Sequence, residues 1–268
     1  MIINHNLNAM NAHRNLTFNN IQQGKSSEKL SSGYRINRAA DDAAGLSISE
    51  KMRAQIKGMN QGMRNTQDGI SMVQAAEGAM NEVSDMLTRM KELTTQASNG
   101  TYSSDDIAAI QLEYSALSDE ISRIATNFSF NGITLLDGSA GNVTIQSAGG
   151  DADAIVLDLS GIDLTALAFG NITDQATAAT ERGVVDAAIT SVNTARSTLG
   201  AYQNRLEHAY NNTSVNAENL QAAESRVRDT DMAAEMMQYT KFNILQQAST
   251  AMLAQANQAP QGVLQLLR

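Results

Sequence analysis

The 268 residues are 42% hydrophobic, enough for a sizeable core, yet they hold no Trp, no Cys, a single Pro and only 4% aromatics. Without cysteine a disulfide framework, a thiolate metal site and a thiol nucleophile are excluded, and a core made of Met, Ala, Leu, Ile and Val suits long helices packed side by side. The net charge of −9 is uneven: residues 1–57 carry eight Lys or Arg against four carboxylates, whereas residues 101–190 carry thirteen carboxylates against Arg123 and Arg182, which argues against polyanion binding in the middle.

At the N-terminus, Met1 to Leu7 show no basic leader, apolar core and small-residue cleavage site, so no cleavable secretory signal is expected. No apolar run approaches the roughly 20 residues that span a bilayer, which speaks against membrane insertion. Ile3, Leu7, Met10 and Ile21 occupy a helical frame that Arg14 and Thr17 interrupt. The basic stretch that follows lacks stacking aromatics and any recognition motif, so nucleic acid is not the expected partner; a solvated helix face with charge pairs is.

Further along, Met52, Ile56, Met59, Met63, Thr66, Ile70 and Val73 alternate steps of three and four. The series then slips by one residue and resumes through Ala76, Met80, Val83, Leu87 and Met90, a slip that alters supercoil without ending the helix. Asn99 to Asp105 reads as a turn, with Ser103 or Ser104 as the N-cap of the next helix. That helix carries Ile107, Ile110, Tyr114, Leu117, Ile121, Ile124 and Phe128 in an unbroken seam.

Asn131-Gly132 and Asp137-Gly138 bracket Ile133 to Leu136, and Val143 to Ile145 and Ile155 to Leu159 follow between glycine-rich stretches, as short strands or hairpins do. Residues 131–180 are the one stretch expected to be non-helical. The longest series, Val185 to Val227 through Leu199, Leu206, Thr213, Asn216 and Leu220, spans on the order of 65 Å as a helix. Thr213 and Asn216 fall on its seam, where buried polar residues fix register. Phe242, Leu245, Ser249, Met252, Ala256, Ala259, Val263 and Leu266 carry the same spacing almost to Arg268. Terminal helices with a thin apolar stripe are marginal alone, so both ends are expected to pair with each other and then with the ends of other copies.

No catalytic constellation emerges. His5, His13 and His208 lack metal-ligand spacing, and neighbouring carboxylates such as Asp41-Asp42 point about 100 degrees apart on a helix, so they read as solvated or capping groups. Gly138 to Gly141 and Ala148 to Gly150 lack the Lys-Ser/Thr ending of a phosphate loop. Neither an enzyme nor a cofactor is expected.

The ends carry a resemblance. Ile3-Asn4-His5-Asn6, Glu28-Lys29-Leu30-Ser31-Ser32-Gly33-Tyr34-Arg35 with Ile36 to Ile48, Ala222 to Ala233, Gln246 to Asn257, and Phe130-Asn131-Gly132 before Leu135-Leu136-Asp137-Gly138 resemble the bacterial flagellin family. The likeness fades from 139 to 180. It implies a mainly α fold: a long antiparallel helical bundle or coiled coil with paired terminal helices and a small central β-hairpin region. It implies inner-tube helices at 1–35 and 231–268, a helical shell built from 36–130 and 181–230, and a minimal insert at 131–180. Ile3, Leu7, Met10, Ile21, Phe242, Leu245, Met252, Val263 and Leu266 are then the inner-tube assembly residues.

Also implied are a homo-oligomeric filament for motility, export through the flagellar type III apparatus, and an export chaperone on the C-terminal helix. The flagellar cap and the hook-filament junction proteins are further partners. Thr88 to Leu93 and Gln111 to Glu113 are similar to the segments through which Toll-like receptor 5 recognises many flagellins, with Arg89, Leu93 and Glu113 at the receptor-facing positions. A hook-filament junction protein is the nearest alternative, and a soluble coiled-coil binding module the alternative from another class.

Overall fold

The computed structural model describes residues 6–150 and 153–266, with side chains as far as residue 258. In order come α1 (Leu7–Ser32), α2 (Ala43–Ala97), α3 (Ser104–Asn127), β1 (Ser129–Phe130), β2 (Ile133–Thr134), β3 (Asn142–Gln146), β4 (Ala154–Asp158), α4 (Gln175–Arg228) and α5 (Met232–Leu266). The fold is mainly α with two small antiparallel hairpins, β1 with β2 and β3 with β4. Two compact units result, residues 1–54 with 219–268, and residues 55–218, so that α2 and α4 contribute to both. Of the expected assembly positions, Ile3 lies outside the described residues, as do the side chains of Val263 and Leu266.

In the 55–218 unit, residues of α2, α3, β3, β4 and α4 share one hydrophobic core. Arg89 pairs with Glu113 across the α2–α3 turn, and Lys91 with Asp186 and Glu77 with Arg196 across α2 and α4, so both neighbours run antiparallel to α2. The buried series along α2 runs Gly62, Thr66, Gly69, Val73, Ala76, Met80, Val83, Leu87, Met90, Thr94 and Ala97, with Met72 and Leu93 buried beside it. That series alternates four and three without a break, which corrects the expected slip. Met63 and Ile70 are only half-buried; the seam runs instead through the two glycines beside them.

The glycines are there because the second hairpin lies on them. A Cβ at Gly62 would overlap the Ser147 carbonyl, one at Gly69 would overlap Ile145 Cδ1, and one at Gly58 would stand 3.1 Å from the Gly149 α-carbon. Asn65 Nδ2 donates to the Gln146 carbonyl at 3.1 Å and the buried Thr213 hydroxyl faces the Ser147 carbonyl at 3.4 Å. Thr213 is thus a seam residue as expected. Asn216 is not: it is exposed and donates to Asn212 Oδ1, while Ala217 takes the buried place one residue on.

The turn before α3 is closed by Ser103, whose hydroxyl accepts the Asp106 N–H while the Asp106 carboxylate accepts the Ser103 N–H at 3.0 Å, a reciprocal cap. Asn131 and Gly132 both have positive φ, 51° and 81°, the pair that a two-residue hairpin loop of matching twist requires. The non-helical stretch runs over 128–174 rather than 131–180. Asp174 accepts the Thr177 N–H at 2.8 Å and so starts α4 several residues before the sequence spacing suggested.

In the other unit α1 and α5 pair antiparallel: Lys29 meets Glu235 at 3.8 Å, Asn19 Nδ2 donates to Ser249 Oγ at 3.1 Å, and Asn6 Nδ2 donates to the Ala256 carbonyl at 2.7 Å. Asn6 caps α1 at its start and Gly33, at φ 75°, ends it in the left-handed turn that favours glycine. The segment leaving α1 bonds the end of α4: Arg35 N–H to the Arg228 carbonyl at 2.7 Å and Thr230 N–H to the Gly33 carbonyl at 3.0 Å. Arg228 stacks 4.8 Å from the Tyr34 ring centroid and bonds Glu50 at 2.6 Å, holding that carboxyl below its ordinary range.

Candidate functional site: the outward faces of the terminal helices

The covered face of α1 is Ala9, Ala12, Leu16, Asn19, Gln23, Ser26 and Leu30, again spaced by threes and fours. Its character is small and polar. At about 100° per residue these positions cluster on one side, while Leu7, Met10, Phe18 and Ile21 cluster roughly 180° away. Those four are exposed by 54 to 63%. The apolar stripe of α1 therefore points out of the α1–α5 pair.

Helix α5 does the same on more sides. Glu235, Tyr239, Phe242, Gln246, Ser249, Leu253 and Ala256 face α1. Met232 and Met236 flank that seam on one side, Leu245 and Met252 on the other, and Met237 and Ile244 point away from it, all of them exposed. A helix that is apolar around most of its circumference belongs in the interior of something. Among the described side chains α1 and α5 expose ten large apolar ones, too many and too regularly spaced for scattered surface residues.

Of the assembly residues expected from the sequence, Phe242 lies half-buried in the pair seam, whereas Leu7, Met10, Ile21, Leu245 and Met252 stand outside it. On α1 the apolar spacing did not mark the contact between the two ends, which runs through Ala9, Ala12, Leu16, Asn19, Gln23, Ser26 and Leu30; on α5 the expected series contributes Phe242, Ser249 and Ala256 to it. The α1 signal was present as a second three-four series, mostly of small and amide side chains. Short side chains let the helices approach, and the Asn19–Ser249 bond keeps the polar groups paired.

On the 55–218 unit the positions expected for receptor recognition separate. Arg89 forks onto Glu113, Nε to Oε1 at 2.8 Å and Nη2 to Oε2 at 3.3 Å, and its Nη1 reaches Glu92 at 2.9 Å. The Glu113 and Glu92 carboxylates hold the guanidinium even further above its usual range. Both Arg89 and Glu113 are about half-exposed. Leu93 is 2% exposed and belongs to the core. It was expected on the same outward face because it is one helical turn from Arg89, but the small rotation over four residues carries it under the surface. Leu112, at 74% exposure, is the apolar side chain that stands beside Glu113 instead.

Among the described residues no group of three or more His, Cys, Asp or Glu is placed to hold a metal ion, and no helix is long and apolar enough to cross a membrane. Tyr114, fully buried, is pushed well above the usual tyrosine range by burial and by the Glu181 carboxylate, to which it donates at 3.1 Å. Glu181 also accepts the Gly170 N–H at 2.9 Å, so the pair ties the loop before α4 to α3. It is a structural latch.

Comparison with known proteins places both helical ends in one family. The family model of the bacterial flagellin N-terminal helical region matches residues 3–141, and that of the bacterial flagellin C-terminal helical region matches residues 183–267. A protein of Halalkalibacterium halodurans named flagellin is 56% identical over 272 residues, with 100% of both chains covered. The flagellar filament 33 kDa core protein of Treponema phagedenis is 49% identical over 287 residues, also with 100% of each covered. Among solved structures, a crystal structure of Bacillus cereus flagellin is 38% identical with a TM-score of 0.52, covering 60% of this chain and 94% of that one.

Proposed function

The chain belongs to the bacterial flagellin family, and from that premise we propose that its outward apolar faces on α1 and α5 are the surfaces that polymerise. As a flagellin it is a structural subunit that self-assembles into the flagellar filament, not an enzyme. Residues 1–35 and 231–268 form the inner tube in this reading, 36–130 and 181–230 the surrounding helical shell, and 131–180 a minimal insert. The observation that carries it is the inversion of the α1–α5 pair: Leu7, Met10 and Ile21 face away from the pair seam, Leu245 and Met252 flank it, and all five stay exposed within the pair.

Export runs through the flagellar type III apparatus, and the apolar circumference of α5 is the surface an export chaperone shields beforehand. The flagellar cap and the hook-filament junction proteins meet the same helices at the filament ends. Arg89 and Glu113, supported by their forked pair and half-exposure, form the surface for Toll-like receptor 5. Leu93 acts from beneath by holding α2 in place.

Deleting 251–268 removes Met252 and the last turns of α5. The truncated protein is expected to keep the fold of its 55–218 unit, read by thermal unfolding, and to form no filaments when seeded, read by electron microscopy. Ordinary filaments from it would refute the role of α5.

A further inference from the structure

Methionine supplies half of the ten exposed large apolar side chains on the terminal pair: Met10, Met232, Met236, Met237 and Met252, at 48 to 69% exposure. The remaining described methionines lie along α2, where Met72, Met80 and Met90 are exposed by 5% or less and Met52, Met59, Met63 and Met86 are half-buried. The molecule thus leaves five thioether side chains open on the terminal pair and shields Met72, Met80 and Met90 in the core, with four half-buried along α2. Met236 and Met237 line one shallow groove with Thr240, Lys241 and Ile244, so these side chains are open to solvent on a face meant to become dry.

We propose that these five thioethers make assembly redox-sensitive: two-electron oxidants of the peroxide class convert them to sulfoxides in the free subunit, and the sulfoxide form does not polymerise. The proposal rests on the filament reading above. In the reaction a sulfur lone pair attacks a peroxide oxygen; the S–O bond forms, the O–O bond breaks, and water leaves after proton transfer. Sulfur is oxidised by two electrons and hydrogen peroxide reduced by two. The product replaces a flexible apolar group with a polar, chiral one, and methionine sulfoxide reductases reverse it.

Burying five sulfoxides in an interface built for thioethers strands polar oxygens away from water, which opposes association. Neither unit need unfold for this to happen. Met10 and Met237 lie opposite the α1–α5 seam, Met232, Met236 and Met252 flank it, and the described seam positions carry no methionine. Once subunits pack, the same atoms are covered. The subunit is vulnerable before incorporation and protected after it.

The test treats full-length monomer with hydrogen peroxide, maps sulfoxides by peptide mass spectrometry, follows helicity by circular dichroism and then seeds polymerisation with untreated filament fragments. Met10, Met236, Met237 and Met252 are expected to oxidise at least about tenfold faster than Met80 and Met90. Helicity is retained, and the concentration needed for growth rises about tenfold or more. Reductases of both sulfoxide epimers restore growth.

A variant with all five open residues changed to Leu keeps Met52, Met59, Met63 and Met86. If it polymerises untreated, peroxide leaves it unaffected; loss of its growth after peroxide would assign the effect to methionines other than these five and overturn the proposal. Oxidised wild-type protein that grows like untreated protein overturns it as well, as does growth that the reductases do not restore. Untreated wild-type protein that fails to grow from seeds overturns the filament reading itself, and this proposal with it.

Discussion

The two units use one helical spacing for opposite ends. In residues 55–218 the three-four series on α2, Val73, Ala76, Met80, Val83, Leu87 and Met90, is the buried face. On α1 and α5 most of the large apolar residues keep to the outside, and Ala12, Asn19, Ser26, Gln246 and Ser249 take the inside together with Leu16, Phe242 and Leu253. A heptad-like series states that a face will be covered. It does not state whether the cover comes from the same chain or from another copy. The difference lies in what occupies the positions between the apolar ones: charged residues such as Arg89 and Glu92 beside the α2 seam, small and amide residues beside the α1 stripe.

The sharpest break between the units is a pair of truncations. Leu87→Ala removes a fully buried side chain from the 55–218 core and is expected to cost about 2 to 5 kcal/mol of folding stability, measured by urea unfolding of the monomer. Ile21→Ala is expected to cost the monomer no more than about 0.5 kcal/mol, since its side chain is more than half-exposed, yet to raise the concentration needed for seeded growth. Equal losses of monomer stability from both would erase the distinction drawn between the two seams.

A smaller effect sharpens the account of α2. Gly62→Ala places a methyl group where the Ser147 carbonyl now sits, and backbone cannot give way as a flexible side chain can. Hydrogen-deuterium exchange over β3 and β4 is expected to rise, with a loss of about 1 to 3 kcal/mol in the 55–218 unit. At Gly69→Ala the obstructing atom is the Ile145 side-chain end, which can swing aside, so a lesser loss is expected. If Gly62→Ala were neutral, the hairpin would not rest on the glycine track.

Much of this arrangement was legible. The α3 seam from Ile107 to Phe128, a cap at Ser103 or Ser104, the Asn131-Gly132 turn and the mainly α class all follow from spacing and turn chemistry, because these are local properties. What was not legible depends on contacts between distant segments. Gly62 and Gly69 read as gaps in an apolar series until β3 is seen lying on them, and Met63 and Ile70 then read as the seam by default. Asn216 and Ala217 differ by one residue on a helix long enough for small departures from ideal spacing to choose between them. On the candidate assembly face, the sequence identified Leu7, Met10, Ile21, Leu245 and Met252 as the side chains needing a partner. On α1 it did not show that the ends meet through Ala12, Asn19 and Ser26, because such residues are seldom taken for a seam; on α5 the expected Phe242, Ser249 and Ala256 do lie in the contact. Leu93 was misplaced for the converse reason: a turn's separation from Arg89 suggests one face, but only packing shows where that face meets the surface.

The smallest expected effect concerns the start of α3 and its response to acid. Ser103 donates its N–H, at 3.0 Å, and its hydroxyl, at 2.8 Å, to the Asp106 carboxylate, and these bonds hold that carboxyl below the ordinary aspartate value of 3.8. A carboxyl that binds its proton less readily when folded contributes stability fully present above its unfolded value, and that contribution is lost as pH falls through the lowered folded value. Ser103→Ala removes the hydroxyl that accepts the Asp106 N–H, at a cost of about 1 kcal/mol near neutral pH. Asp106→Asn keeps a weaker acceptor without the charge. Thermal melts of the monomer between pH 7 and pH 3 are therefore expected to show both variants below wild type at neutrality. The gap between Asp106→Asn and wild type narrows toward pH 3, as the wild-type carboxyl begins to take up its proton. A gap that stays constant over that range would show that the carboxylate charge contributes nothing to the cap, leaving the neutral hydrogen bonds to start the helix.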